Sequence, residues 1–159
     1  VREDGGGLVA ALEKIVDPLL PAGDIATATY QDGTTKVLVH SDANELNLPM
    51  MVLVNGNTAS AAELFTASLK DFGKAEVIGE QTFGKGIMQN TFELPDGGAV
   101  TLTVATYQTT KGECYHGVGI TPDVIMEEDY EKVDFGHPNP EQDAQLKQAM
   151  ELLQSKISS

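Results

Sequence analysis

Three residues have the types and spacing to do chemistry together: Ser60, Lys85 and Gln89. Ser60 stands in "NTASAAELF", residues 57–65, where Ser60-Ala61-Ala62-Glu63 has the spacing of a capping box, in which serine and glutamate satisfy each other's backbone N–H groups at a helix start. That is a purely structural use of the serine, and Thr58 offers a second candidate cap. A strand-to-helix junction also projects a hydroxyl from a sheet edge, beside a helix N-terminus suited to a nearby oxyanion. Attack by that hydroxyl requires a base within hydrogen-bond reach. His40, His116 and His137 lack distinctive neighbours for a Ser-His-Asp arrangement. Lys85, in "TFGKGIMQ", lies between two glycines, follows Phe83 and precedes Gln89 by four residues. Lysine acts as a base only when neutral, so its ordinary pKa of about 10.4 must fall, and burial beside an apolar group such as Phe83 is expected to do this. Gln89 can accept from the amine without favouring its charged form as a carboxylate does. The plain alternative is a solvated loop lysine and a hairpin glutamine.

The elements that position these residues follow from periodicity. Leu8, Leu12, Ile15 and Val16 recur at helical spacing until Asp17-Pro18. "IATATYQDGTTKVLVH" predicts a hairpin about Asp32-Gly33, and "LPMMVLVN" a covered strand leading into the Ser60 segment. Positions 61, 64, 65, 68, 69 and 72 form the stripe of a second helix ending near Gly73. "AEVIG" is a short strand, "IMQNTFEL" and "AVTLTVATYQT" flank a turn at Pro95-Asp96-Gly97, and "PDVIM" is a last strand. Residues 127–140 read as a surface crossing. A final helix is expected from Asn139-Pro140, docking through Leu146, Ala149, Met150, Leu153 and Ile157. Interleaved strands and helices with inserted hairpins predict an α/β fold with mixed sheet pairing.

Composition removes several classes of partner. The 159 residues carry 10 basic and 24 acidic side chains, a formal charge of −14, which opposes nucleic acid and anionic lipid surfaces. The single Cys114 forms no internal disulfide, and the scattered histidines have no metal-ligand spacing. No apolar run approaches the roughly 20 residues of a membrane span.

Four blocks, "REDGGGL" (2–8), "LVNGNTASAAEL" (53–64), "VIGEQTFGKGIMQ" (77–89) and "LPDGGAVTLTVATYQTTKGECYHGVGITPDV" (94–124), resemble in order and spacing the carboxyl-terminal processing (tail-specific) serine peptidases. The resemblance implies a crotonase/Clp-protease-like β/α spiral, with Ser60 as nucleophile, Lys85 as base, Gln89 as its assistant, and Gly6 and Ala61 as backbone oxyanion donors. It also implies unstructured C-terminal tails of extracytoplasmic proteins as substrates and no cofactor; direct membrane binding by this segment is not expected from its charge, and a sheet lacking its preceding strand leaves an edge open to self-association. The departures are Thr58 and Ala62 at positions where serines are frequent, and Asp4-Gly5 in place of an asparagine-proline pair. By this resemblance residues 1–159 are expected to be a catalytic core whose preceding strand and peptide-binding PDZ domain lie outside it. The rival expectation is a catalytically silent ligand- or protein-binding module of the same fold.

Overall fold

The computed structural model describes residues 1–42 and 44–158. Three helices, α1 (Val9–Val16), α2 (Ala61–Asp71) and α3 (Ala144–Ile157), combine with seven strands: β1 (Gly23–Tyr30), β2 (Thr35–Ser41), β3 (Met50–Val54), β4 (Ala75–Gly79), β5 (Ile87–Glu93), β6 (Ala99–Thr109) and β7 (Val124–Ile125). The expected α/β class is present, and its antiparallel and parallel pairings are divided between two sheets. Antiparallel β2-β1-β6-β5 forms one, and parallel β3-β4-β7 the other.

Each sheet has a local cause. Around Asp32-Gly33 the Asp32 Oδ1 accepts the Thr34 N–H and hydroxyl, closing the β1–β2 hairpin. Between β3 and β4 the chain crosses over through α2, a connection long enough to bring it back to the starting end of the sheet, so the two strands run parallel, in register from Met50 with Ala75 to Val54 with Gly79.

α2 is buried over more of its circumference than the predicted stripe. Ala62, Glu63, Thr66 and Ala67 are buried along with Ala61, Leu64, Ser68 and Leu69, because α2 packs against α1, β1, β4 and β6. The polar groups inside are satisfied locally: Thr66 and Ser68 hydroxyls donate to the carbonyls of Ala62 and Leu64. Leu20, Ile25, Val39, Val54, Leu64 and Val77 are core residues common to both sheets and this helix.

The final helix differs from expectation at its start and on its face. Residues 139–142 turn, and α3 begins after Asp143, whose carboxylate accepts the Leu146 N–H at 2.8 Å. Met150 and Ile157 are exposed, whereas Gln145 and Ala149 are buried, so the docking stripe is rotated from the predicted one. The rotation follows from the Asp143 cap, which sets the helix phase, and from Gln145, which donates to the Met126 carbonyl and the Tyr130 hydroxyl.

Candidate active site

Ser60 occupies the N-cap of α2 with φ 58° and ψ −120°. A side-chain-bearing residue pays for positive φ, and such strain persists where surrounding contacts impose it. Here the contacts are explicit. Glu63, fully buried, accepts the Ser60 N–H on Oε2 at 2.9 Å. The Thr58 carbonyl accepts from Phe83 N–H, and the Ala59 N–H donates to the Asp4 carbonyl. Thr58 does not cap α2: its hydroxyl accepts the Asn55 N–H and donates to the Val1 carbonyl, closing the turn that precedes Ser60.

Glu63 is the hub of the site. Besides the Ser60 amide, its carboxylate accepts the Lys85 N–H at 2.7 Å, the Gly84 N–H at 2.6 Å and the Thr82 hydroxyl at 2.6 Å. Four donors compensate the burial of this charge. Ser60 and Lys85 amides hang from the same oxygen, so one carboxylate fixes the serine turn and the lysine loop relative to each other. The capping box read in the sequence therefore serves a second purpose.

The lysine loop is seated from its other side by residues 115–120. Gly84 has φ 94°, and a Cβ there would lie 2.8 Å from the Gly119 nitrogen; the Gly84 carbonyl accepts the Gly117 N–H at 2.9 Å. Only glycine permits both the backbone angle and the approach. Lys85 itself is half-buried, and among the described residues neither its Nζ nor the exposed Gln89 amide takes part in a hydrogen bond or ion pair. Phe83 is 66% exposed and does not wall off the amine, contrary to the apolar shielding expected from its place in the sequence. Its backbone N–H is held by Thr58 while the ring turns to solvent.

Gly6 meets the serine turn directly. With φ 93°, its position leaves room for no side chain: a Cβ would lie 2.7 Å from both Ala59 O and Ala61 N, and 2.8 Å from Ser60 Cβ. The glycine loop and the start of α2 are thus in close contact. In this structure the Gly6 N–H donates to Asp4 Oδ1 at 2.9 Å, a local turn the sequence reading missed. Asp4 is one of the departures from the pattern of the resembled peptidases, and its side chain occupies that donor.

Arg2 anchors the same loop to α3. Its guanidinium pairs with both Asp143 oxygens, donates to Gln145 Oε1 at 3.1 Å, and lies 5.3 Å above the Phe135 ring. Burial, the largest single influence, raises the Asp143 carboxyl, but the Arg2 hydrogen bonds and charge together with the Leu146 N–H outweigh it and hold the group below the usual carboxylate range. None of the three histidines hydrogen-bonds Ser60 among the described residues: His40 pairs with Asp24, His137 with Asp134, and His116 Nδ1 contacts the Gly84 carbonyl.

A mainly apolar pocket of about 260 Å³ opens beside Gly6 and Ala61, walled by Leu8, Leu12, Ile15, Ala62 and Phe65. Strand β6 supplies one more neighbour that spacing did not single out. The Tyr107 hydroxyl lies 2.7 Å from the Lys85 carbonyl and 3.4 Å from Ser60 Oγ.

Known proteins share this arrangement of blocks. The model of peptidase family S41 matches residues 1–126. The carboxyl-terminal-processing protease of Synechocystis sp. is 34% identical over 158 residues, 99% of this chain and 36% of that protein. The carboxy-terminal processing protease CtpA of Bacillus subtilis is 37% identical over 137 residues, 85% of this chain and 29% of that protein. Among solved structures, a photosystem II D1 C-terminal processing protease superposes with a TM-score of 0.73 at 37% identity, covering 80% of this chain and 33% of its own. The chain thus spans about a third of the length of these relatives, and no helix among the described residues is long and apolar enough to cross a membrane. Matched across residues 1–126, with its strands and helices laid out as in a solved processing protease, the chain belongs to peptidase family S41.

Proposed function

We propose that residues 1–159 are the catalytic core of a serine endopeptidase that cleaves unstructured C-terminal regions of extracytoplasmic proteins by acyl transfer. The observation that carries this reading is the buried Glu63 carboxylate, which draws the Ser60 turn and the Lys85 loop onto one oxygen and holds Ser60 in a strained conformation. Maintaining a buried charge and positive φ at a serine is costly for a fold that only needs a helix cap.

In this mechanism Lys85 Nζ, uncharged, removes the Ser60 proton as Oγ attacks the scissile carbonyl, then returns it to the leaving amine. Gln89 orients the amine once a substrate strand closes over the exposed mouth of β5. The developing oxyanion is met by the Ala61 amide at the start of α2 and by the Gly6 amide after the substrate displaces Asp4. The apolar pocket beside those amides fits an aliphatic side chain next to the cleaved bond. A water activated by the same lysine resolves the ester. The relatives named for C-terminal processing support tails as the substrate class.

Mass spectrometry of a C-terminal tail peptide incubated with the protein tests the reading. Cleavage is expected to vanish in Ser60→Ala and in Lys85→Arg, since guanidinium does not give up its proton, while both variants keep the fold. Normal cleavage by folded Lys85→Arg overturns the lysine's role, and absence of cleavage and of Ser60 acylation in the unmodified protein favours a silent binding module.

A further inference from the structure

Behind Ser60 lies a pair of buried phenols to which this mechanism assigns no part. Tyr107 is 4% exposed, and its hydroxyl reaches both the Lys85 carbonyl and Ser60 Oγ. One phenol carries one proton, so it donates to the nearer acceptor, the Lys85 carbonyl at 2.7 Å, and faces the serine at 3.4 Å with the contact unmade. Tyr115, 7% exposed, packs edge-on against the Tyr107 ring, with centroids 6.1 Å apart and planes at 76°. The Tyr115 hydroxyl is buried and has no hydrogen-bond partner among the described residues, while its ring lies against that of Tyr107. Native structures rarely leave such a donor unused. Burial, chiefly, makes both phenols harder to ionise than usual, and the Glu63 carboxylate adds to this, so both keep their protons. Tyr107 thus faces the nucleophile while committed to a backbone carbonyl, and the ring packed against it carries an idle donor.

We propose that Tyr107 is a hydrogen-bond donor to the nucleophile: its O–H rests on the Lys85 carbonyl and turns to Ser60 Oγ as that oxygen loses its proton, while the Tyr115 O–H moves onto the Tyr107 oxygen. This rests on the serine-nucleophile reading above. The proton account is closed: the Ser60 proton passes to Lys85 Nζ, and both phenol protons stay on their oxygens. A hydrogen bond to an oxygen bearing negative charge is stronger than one to a neutral carbonyl, which drives the turn in that state. The Tyr115 donor strengthens it, because a hydroxyl that accepts a hydrogen bond donates better. Once the ester forms, Oγ is neutral and Tyr107 returns to the Lys85 carbonyl. In hydrolysis of the ester the serine oxygen is the leaving group, and the same donor meets it again.

The test is the second-order rate of Ser60 labelling by a fluorophosphonate, with the site confirmed by mass spectrometry, alongside thermal melting. Tyr107→Phe is expected to label roughly 10- to 100-fold more slowly, with kcat for a tail peptide lowered and KM unchanged. Tyr115→Phe is expected to label about 3- to 10-fold more slowly without losing stability, since it removes an unpartnered hydroxyl and keeps the ring. Replacing Tyr107 by the near-isosteric, more acidic difluorotyrosine should add an alkaline fall to the labelling rate, where the modified phenol ionises; a merely structural tyrosine leaves the profile unchanged. Wild-type labelling rates in both phenylalanine variants, or an unaltered pH profile with difluorotyrosine, overturn the proposal. If Tyr107→Phe does not fold, Tyr115→Phe and difluorotyrosine decide it. Failure of the unmodified protein to label at Ser60 overturns the serine-nucleophile reading and this proposal with it, a result distinct from equal labelling of all forms.

Discussion

A glycine's missing atom governs the site at the residue scale. Gly5 and Gly7 have open space where a Cβ would stand, whereas at Gly6 that atom would collide with Ala59 O, Ala61 N and Ser60 Cβ, at a backbone angle side chains resist. Three adjacent glycines are therefore not equivalent. Gly6→Ala is expected to lower kcat/KM by about 100-fold or more, the typical cost of one oxyanion donor, and Gly5→Ala and Gly7→Ala by only a few-fold; kinetics on a tail peptide check this. Equal losses at all three positions would locate the effect in loop stiffness. The turns that carry Ser60, Lys85 and Gly6 were legible in the sequence because each has a local signature: a serine three before a glutamate, a lysine between glycines, a glycine run. Asp4 and Tyr107 were not. Asp4 binds the Gly6 amide through a two-residue turn that any Asp-Gly-Gly permits but none requires, and Tyr107 reads only as an inward position of a strand. Its place beside Ser60 comes from β6 packing against α2, a fact of tertiary packing. The fourfold use of Glu63 was half legible, as a capping box; the donors from Thr82, Gly84 and Lys85 arrive from 19 to 22 residues away.

At the scale of elements, strand and hairpin order followed from alternation and turn residues, while the third helix shows where periodicity falls short. Asn139-Pro140 has the chemistry of a helix start, yet Asp143 wins because its carboxylate does two jobs, capping Leu146 and pairing with Arg2 from the opposite end of the chain. The Asp143 and Arg2 side chains are only 2% and 9% exposed. Asp143→Asn keeps a capping oxygen but strips the charge facing Arg2, and is expected to cost about 2–4 kcal/mol at neutral pH, read by denaturant unfolding. The sign of its pH dependence follows from the depressed carboxyl. Stability contributed by Asp143 is fully present above the ordinary aspartate value of roughly 3.9 and is lost as pH falls through the lower folded value. The gap between wild type and Asp143→Asn should therefore be constant near neutrality and close only in strong acid, below roughly pH 4. A gap that closes between pH 5 and 7 would assign the effect to another group. Because Arg2 belongs to the loop that carries Gly6, α3 acts on the site from a distance: its cap residue holds the loop's entry.

The whole molecule carries 24 acidic against 10 basic side chains, and the ion pairs it makes do not offset the excess. Lys70 with Asp123, Lys74 with Glu45 and Lys156 with Glu76 gather three of the cations beside the β3–β4 end of the parallel sheet, and Arg2 with Asp143, Lys132 with Asp129 and Lys147 with Glu141 pair elsewhere, far fewer pairs than there are acidic groups. Two opposing salt effects follow. Screening weakens surface pairs, each worth about 0–1 kcal/mol. It also relieves the mutual repulsion of a net charge of −14, a long-range term that acts across the molecule at low ionic strength, where the screening length is about 30 Å at 0.01 M, and fades when that length shrinks to about 8 Å at 0.15 M. The repulsion involves many pairs of groups and the attraction few, so it dominates. Raising sodium chloride from 0.01 to 0.15 M at neutral pH is expected to stabilise the fold by about 1 kcal/mol, a rise of roughly 2–4 °C in melting temperature. Calorimetry across a chloride series checks it, and most of the gain should already be present at 0.15 M, with little more at 1 M beyond what salt does to apolar burial. A melting temperature that falls over the same range would mean that the lysine pairs along the parallel sheet outweigh the acidic excess, and that the charge of this domain is organised locally.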